Sequence, residues 1–357
     1  MQLHFIDSSA ADADARGREL GERFAPQFRE SVDLYLEHFG ELGIPAETVR
    51  AITERSHAAL AAWAPGIAAE TEAIASASGI ELWQLAAVGA RTEVLGVAPK
   101  RNAAECSTAV RTGPGMSPES IQTWDWHDFL VPDGLMRTFT SDAGLQVKLF
   151  TEFGTAAKIG VNDAGVGLHF NILMHESDSD AGGVPVHAVA RRILDEARSL
   201  DDAIRIAESA TVSASTVLTV FESTEQGSRA ASIELSPAGM ALVEPGEDGW
   251  LFHTNHFLDP RLAAGDTMPE ASETRERYDH LDAVRESLGG LTPSARAAAA
   301  CGGAGEDAVI CIRPDEALSR LDQWKTLLTI GVDVAGFALD YFPGTPAEAA
   351  EQGMSRL

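Results

Sequence analysis

Two short runs with β-type alternation, residues 106–110 (Cys-Ser-Thr-Ala-Val) and 121–126 (Ile-Gln-Thr-Trp-Asp-Trp), flank a turn segment rich in Gly and Pro. Such a pair predicts a β-hairpin. A hairpin folds its outer ends together, so Cys106 is expected near Asp125. Upstream of this hairpin the chain has helical period, and downstream it is dominated by strands. Strands therefore do not alternate strictly with helices, which argues against a doubly wound nucleotide fold. The pattern predicts a layered α+β fold, with antiparallel sheets and helices packed on them.

Residues 10–97 read as helices. Leu20, Phe24, Phe28, Val32, Leu34, Tyr35 and Phe39 recur at helical spacing. Pro45 and Pro65 each open a helix, and Gly79 closes the second of these. Another runs from Glu81 to Leu95. Strands are expected over 106–110, 121–126, 146–152 and 159–173, the last interrupted by the Asn162-Asp163-Ala164-Gly165 turn. Residues 186–210 return to helical period. Further strands are expected at 216–222, 230–235, 240–244 and 250–253, then a helix over 272–288, then strands at 326–333 and 337–342. Gly302-Gly303-Ala304-Gly305 lacks the Lys-Ser/Thr that a phosphate cradle requires.

Composition excludes several classes of partner. The formal charge is −27, so nucleic acid and anionic lipid would be repelled. No run of about eighteen apolar residues exists, so no membrane span is expected. The N-terminus lacks a basic region followed by an apolar stretch, and three cysteines are too few for a disulfide framework. Both features lead to the expectation of a cytoplasmic protein. The C-terminal Ser-Arg-Leu resembles a peroxisomal address but is too short a signal to use.

Among the cysteines, Cys301 and Cys311 sit in apolar contexts typical of core positions, whereas Cys106 opens the first strand and is followed by Ser107 and Thr108. Asn171 and Asn255 end predicted strands, where an amide can donate to a developing oxyanion. Trp124 and Trp126 alternate with Asp125 and so face the opposite side of their strand, as core. His127-Asp128 is an isolated pair, and His169, His175 and His187 lack metal-ligand spacing, so no metal is expected. No cofactor signal is present either.

Taken in order, Cys106-Ser107-Thr108, Gln122-Thr123-Trp124-Asp125-Trp126-His127, the segment from Lys158 to Gly167 with Asn171, and His253-Thr254-Asn255-His256-Phe257 resemble the isopenicillin N acyltransferase family. These are self-processing cysteine enzymes of the N-terminal-nucleophile superfamily. The resemblance extends back through residues 65–80 and 91–93 and forward through 272–278 to 342–346. It implies a four-layer αββα sandwich in one integrated fold. It also implies scission between Glu105 and Cys106, leaving residues 1–105 as a small subunit and 106–357 as a larger one. Cys106 would be nucleophile and, through its freed α-amine, base; Asp125 would orient it. The Asn255 side chain and the Asn171 backbone N–H would hold the oxyanion.

The expected activity is hydrolysis or transfer of a small acyl or aminoacyl group through an acyl-Cys106 thioester. No coenzyme A signal is visible, which favours water as acceptor. Glu105 stands where relatives often have Gly, and Gln122 where bile-salt hydrolase relatives have Arg. Arg111 is then a candidate charge contact to the nucleophile. His127, His256, Arg275 and Arg277 are further candidate substrate contacts, although Glu273, Glu276 and Asp279 predict i,i+4 pairing for both arginines. The alternative is an unprocessed family member that binds an acyl or amino-acid ligand without catalysis. The expected partners are a small amide or acyl substrate, the chain's own N-terminal fragment as a subunit after cleavage, and a second copy as homo-oligomer.

Overall fold

The computed structural model describes residues 1–98 and 106–357. Glu105, half of the expected cleavage site, lies outside the described residues. The chain opens with β1 (Gln2–Ser8) and six helices: α1 (Ala13–Arg23), α2 (Ala25–Glu41), α3 (Ala46–Trp63), α4 (Pro65–Ser78), α5 (Leu82–Gly89) and α6 (Arg91–Leu95). Local chemistry sets their ends. Asp12 caps α1 by accepting from the Ala15 N–H, and Gly79 closes α4 in the left-handed region at φ 70°. Gly17 and Gly21 let α1 lie against α4: a Cβ at Gly17 would come 2.4 Å from the Glu70 carbonyl oxygen. Only glycine permits that approach.

Strands β2 (Ser107–Arg111), β3 (Glu119–Trp126), β4 (Asp133–Thr140), β5 (Gln146–Glu152), β6 (Ile159–Asn162) and β7 (Val166–Ile172) follow. Helices α7 (Val186–Glu196) and α8 (Leu200–Glu208) precede β8 (Thr216–Thr224), β9 (Gly227–Ser236), β10 (Gly239–Val243) and β11 (Trp250–His253). The chain ends with α9 (Pro260–Ala263), α10 (Thr274–Val284), α11 (Pro293–Cys301), β12 (Lys325–Asp333), β13 (Ala338–Phe342), α12 (Pro346–Gln352) and β14 (Ser355–Arg356).

Among the described residues these strands form two sheets. One has the order β1-β4-β5-β6-β7-β8-β9-β10 and the other β11-β2-β3-β12-β13-β14. Every pairing is antiparallel except β1 with β4. The sheets stack, with β2 and β12 against β7 and β13 against β5 and β6. Helices α7 and α8 cover the first sheet, joined by α1 and α2, whose Arg16 and Ser31 donate to carbonyls of Thr140 and Phe153. Helices α10, α11 and α12 cover the second. The result is the four-layer αββα order expected from the sequence. Its main core lies between the sheets and under the N-terminal helices, with Trp124, Phe150, Leu168, Phe170 and Leu328 buried in it.

The sequence reading gave no element to residues 2–8, 133–140, 293–301 or 346–352. β4 carries Arg137 at a buried position, where it pairs with Glu70, and that charge masks the alternation. For α11 and α12 the signals were present: Thr292-Pro293 and Thr345-Pro346 each place a cap before a first-turn proline. Thr345 and Glu348 complete a capping box. No helix of the described residues is long and apolar enough to cross a membrane.

Candidate active site

β2 and β3 pair in the register Ser107↔Thr123 and Thr108↔Gln122, so the hairpin places Cys106 beside Trp124 and Asp125. Alternation then sorts the side chains. Thr108, Gln122 and Trp124 point between the two sheets, while Ser107 and Ile121 point towards the outer helices. Cys106 is buried, with its backbone held at both ends. Its N–H donates to Asn255 Oδ1 at 2.8 Å, and its carbonyl oxygen accepts from Asn171 Nδ2 at 3.1 Å and Arg277 Nη1 at 2.8 Å.

Each of these partners is itself fixed. Asn171 lies at the end of β7, and its Oδ1 accepts from Thr108 Oγ1 and Gln122 Nε2. Asn255 follows β11; its Nδ2 donates to the Ile172 carbonyl and its backbone N–H to Thr274 Oγ1. Arg277, fully buried on α10, also donates to Ser107 Oγ, Asn255 Oδ1 and the Ser272 carbonyl. Three segments distant in sequence thus converge on one residue.

Burial, and then the neighbouring Asp125 carboxylate, push the Cys106 thiol up to about 12, although the Asp125 backbone N–H, Lys158 and Arg277 act against this. At neutral pH the intact chain therefore holds a thiol there, not a thiolate. Burial raises Asp125 to about 7, opposed by Thr326, Arg277 and Thr123. Its Oδ2 accepts from Thr123 Oγ1 at 3.2 Å, and its Oδ1 has no hydrogen-bond partner among the described residues. A buried carboxyl with an unused acceptor, next to a thiol, is suited to exchange a proton near neutral pH.

A second cationic group stands behind the cysteine. Glu152 Oε1 accepts from Lys158 Nζ and Arg91 Nη2, and Glu152 Oε2 from Tyr35 Oη. Lys158 also contacts His187 Nε2 and lies over the Trp124 and Phe170 rings. Burial lowers Lys158 to about 8, with Arg91 adding to the effect and Glu152 opposing it.

The sequence-predicted residues divide accordingly. Cys106, Asp125, Asn171 and Asn255 converge, but Asn171 meets Cys106 through its side-chain amide, and Asn255 presents its oxygen. His256 lies next to Asn255, bonded to Thr274 Oγ1, and burial lowers it to about 4. Arg111 sits at the opposite end of β2, roughly 17 Å along the strand, over the Trp250 ring and facing Glu119. His127 donates to the Gln323 carbonyl and stacks on Trp324 at 4.0 Å, away from Cys106. Arg275 is exposed, whereas Arg277, two residues on, is the one that turns inward. Its signal was in the period: Thr274, Arg277 and Leu281 form the buried face of α10. That face excludes the i,i+4 surface pairing expected of it. Among the described residues no group of three His, Cys, Asp or Glu side chains could hold a metal ion.

A cysteine opening a strand of one of two stacked sheets, its amide and carbonyl clamped by asparagines and an arginine, defines a class: four-layer α+β proteins built around a buried, clamped cysteine. Residues 118–287 match the model of the acyl-coenzyme A:6-aminopenicillanic acid acyl-transferase family, so this stretch of the chain is similar to that family. The match covers Asp125, Asn171, Asn255 and Arg277. The chain is also 25% identical over 226 residues to the 40 kDa form of acyl-coenzyme A:6-aminopenicillanic-acid-acyltransferase from Emericella nidulans, a stretch that covers 61% of each protein. Similar solved structures include a Caenorhabditis elegans N-acylethanolamine-hydrolyzing acid amidase ortholog, at TM-score 0.44 and 11% identity, covering 65% of this chain and 96% of that one. A penicillin V acylase from Agrobacterium tumefaciens aligns at TM-score 0.36 and 11% identity, covering 67% and 83%. At these scores the likeness adds nothing to the topology already described.

Proposed function

We propose that this protein is a self-processing cysteine amidohydrolase or acyltransferase that works through an acyl-Cys106 thioester. The observation that carries the reading is the clamp on Cys106: backbone N–H on Asn255 Oδ1, carbonyl on Asn171 and Arg277. Three buried polar side chains from separate segments converge on the backbone of this one residue. In maturation, Cys106 Sγ attacks the carbonyl carbon of Glu105. The S–C bond forms, the C–N bond breaks, and the thiol proton passes to the departing nitrogen, with Asp125 the nearest carboxyl able to relay it. Water then cleaves the thioester, leaving a carboxylate on residue 105 and a free thiol and amine on Cys106.

In turnover the freed α-amine, with an ordinary pKa of about 7.7–8.0, takes the thiol proton that burial otherwise holds in place. The thiolate attacks the amide carbonyl, the amine returns the proton to the leaving nitrogen, and water or an amine resolves the thioester. Asn255 Oδ1 already accepts from the nitrogen that would become this amine, and Asp125 Oδ1 is an unused acceptor on the neighbouring strand. The substrate class this favours is a small N-acyl amide or amino-acid conjugate. Cys106→Ala is expected to abolish turnover of an N-acyl p-nitroanilide while the fold is retained; turnover surviving in that variant defeats the reading.

The alternative, ligand binding by an unprocessed chain, is favoured by the burial of Cys106, which keeps its sulfur a thiol in the intact protein. Under that reading the purified protein stays one piece, and Cys106→Ala leaves ligand binding unchanged.

A further inference from the structure

Gln122 makes no contact with Cys106, and its buried side chain is engaged elsewhere. Fully buried at the middle of β3, its side chain crosses from the second sheet to the first and meets three consecutive residues of β7. Nε2 donates to the Phe170 carbonyl at 2.8 Å and to Asn171 Oδ1 at 3.1 Å, while Oε1 lies 3.0 Å from His169 Nδ1.

Donor and acceptor rules fix the direction of the whole chain. A backbone carbonyl only accepts, so the Phe170 contact identifies the Gln122 nitrogen. Its oxygen then faces His169, whose Nδ1 must carry the proton. Burial lowers the His169 pKa to about 3, so the ring is neutral and this N–H is its only one. The second Nε2 proton meets Asn171 Oδ1, joined there by the Thr108 hydroxyl. Asn171 is left with one orientation, Nδ2 towards the carbonyls of Cys106 and His253. A flip of that amide would set two oxygens against each other at Cys106 and strand two donors.

We propose that Gln122, pinned by His169, is a positioning residue that holds the Asn171 amide on the Cys106 carbonyl and so aims the nucleophile. The proposal rests on Cys106 being that nucleophile. It touches no substrate and acts through Asn171 alone.

The test compares wild type with Gln122→Glu, which keeps shape and the His169 acceptor but loses both donors. Turnover of an N-acyl p-nitroanilide is measured together with asparagine-selective 15N spectra. The chain has only four asparagines, Asn102, Asn162, Asn171 and Asn255, so each side-chain amide is separately readable. Asn162, bonded to the Leu194 and Ala197 carbonyls, is the internal reference. The expected result is a kcat lower by about ten- to a hundredfold with KM held, and loss of exchange protection at Asn171 but not at Asn162. An unchanged kcat, a rise in KM alone, or unaltered Asn171 signals would overturn the proposal. A uniform loss of protection at every amide would also overturn it, because it would show a structural role only.

If Gln122→Glu does not fold, His169→Phe decides: it removes the N–H that pins Oε1, and should lower kcat about threefold with KM held. Wild-type kinetics and unaltered Asn171 signals in that variant overturn the proposal. If wild type leaves the anilide intact, the amidase reading fails instead, and the Asn171 signals still decide on Gln122.

Discussion

Two buried carboxyls, Glu70 and Asp125, stand in opposite electrostatic states, and the contrast separates a group that holds this fold from one that the proposed function sets to exchange a proton. Glu70, on α4, accepts from three arginines: Arg16, Arg137 and Arg191. Arg191 is further tied to Asp195, and all three guanidinium groups lie over the Phe139 ring. Burial alone would raise Glu70, but Arg137, Arg191 and Arg16 together hold it well below the usual carboxylate range. Asp125 is just as buried, yet it has hydroxyls for partners, one oxygen unused, and a pKa near 7. A satisfied cluster locks the N-terminal helices to the first sheet; an unsatisfied carboxyl keeps a proton in reach of Cys106.

The comparison breaks most visibly at its two centres. Asp125→Asn is expected to lower kcat by about 10²–10⁴-fold, since it removes a group that can exchange a proton. Glu70→Gln is expected to cost about 3–5 kcal/mol of stability by leaving buried arginines unpaired, read from denaturant unfolding, with kcat of the folded fraction unchanged. Equal losses of activity in both variants would erase the distinction.

Their pH dependences should run in opposite directions. Asp125 has a raised pKa, so its contribution to stability is fully present below about pH 4 and is lost as pH rises towards 7. Asp125→Asn should therefore match wild type near pH 4 and exceed it at pH 8, by up to about 4 kcal/mol. Glu70 is depressed, so its contribution is present above about pH 4.5 and lost as pH falls, and the deficit of Glu70→Gln should shrink in acid. Melting temperatures of both variants across pH 3–9 check the signs.

Smaller effects sharpen the picture within α10. Arg277→Met should lower kcat by about 10²–10³-fold, because its guanidinium is one of two side-chain donors on the Cys106 carbonyl. Arg275→Ala, on the exposed face, should leave kcat and KM within about twofold of wild type. Comparable losses in both would mean that the helix as a whole, and not one inward arginine, matters.

The same contrast explains how much was legible beforehand. Cys106, Asp125, Asn171 and Asn255 stood at strand ends in a recognisable order, and the hairpin between 106 and 126 set the first two side by side. The layered α+β order followed from helical period giving way to strands. Less visible was anything that depends on two distant segments agreeing. Arg277 looked like a surface charge because its neighbours Glu276 and Asp279 are acidic, and only the buried Thr274, Arg277 and Leu281 face reveals its direction. Arg137 hid a strand for the same reason: its partner Glu70 lies 67 residues earlier in another element (137 − 70). Arg111 and His127 were read by proximity in sequence, but strand length and alternation carry both away from the cysteine.

The central claim is that Cys106 severs its own peptide bond and then serves as a nucleophile with a free amine. Denaturing mass spectrometry of the purified wild-type protein beside Cys106→Ala tests it most directly. The account predicts two masses for wild type, divided between residues 105 and 106, and one intact mass for the variant. A single full-length mass for both, or the same two fragments from both, would contradict it.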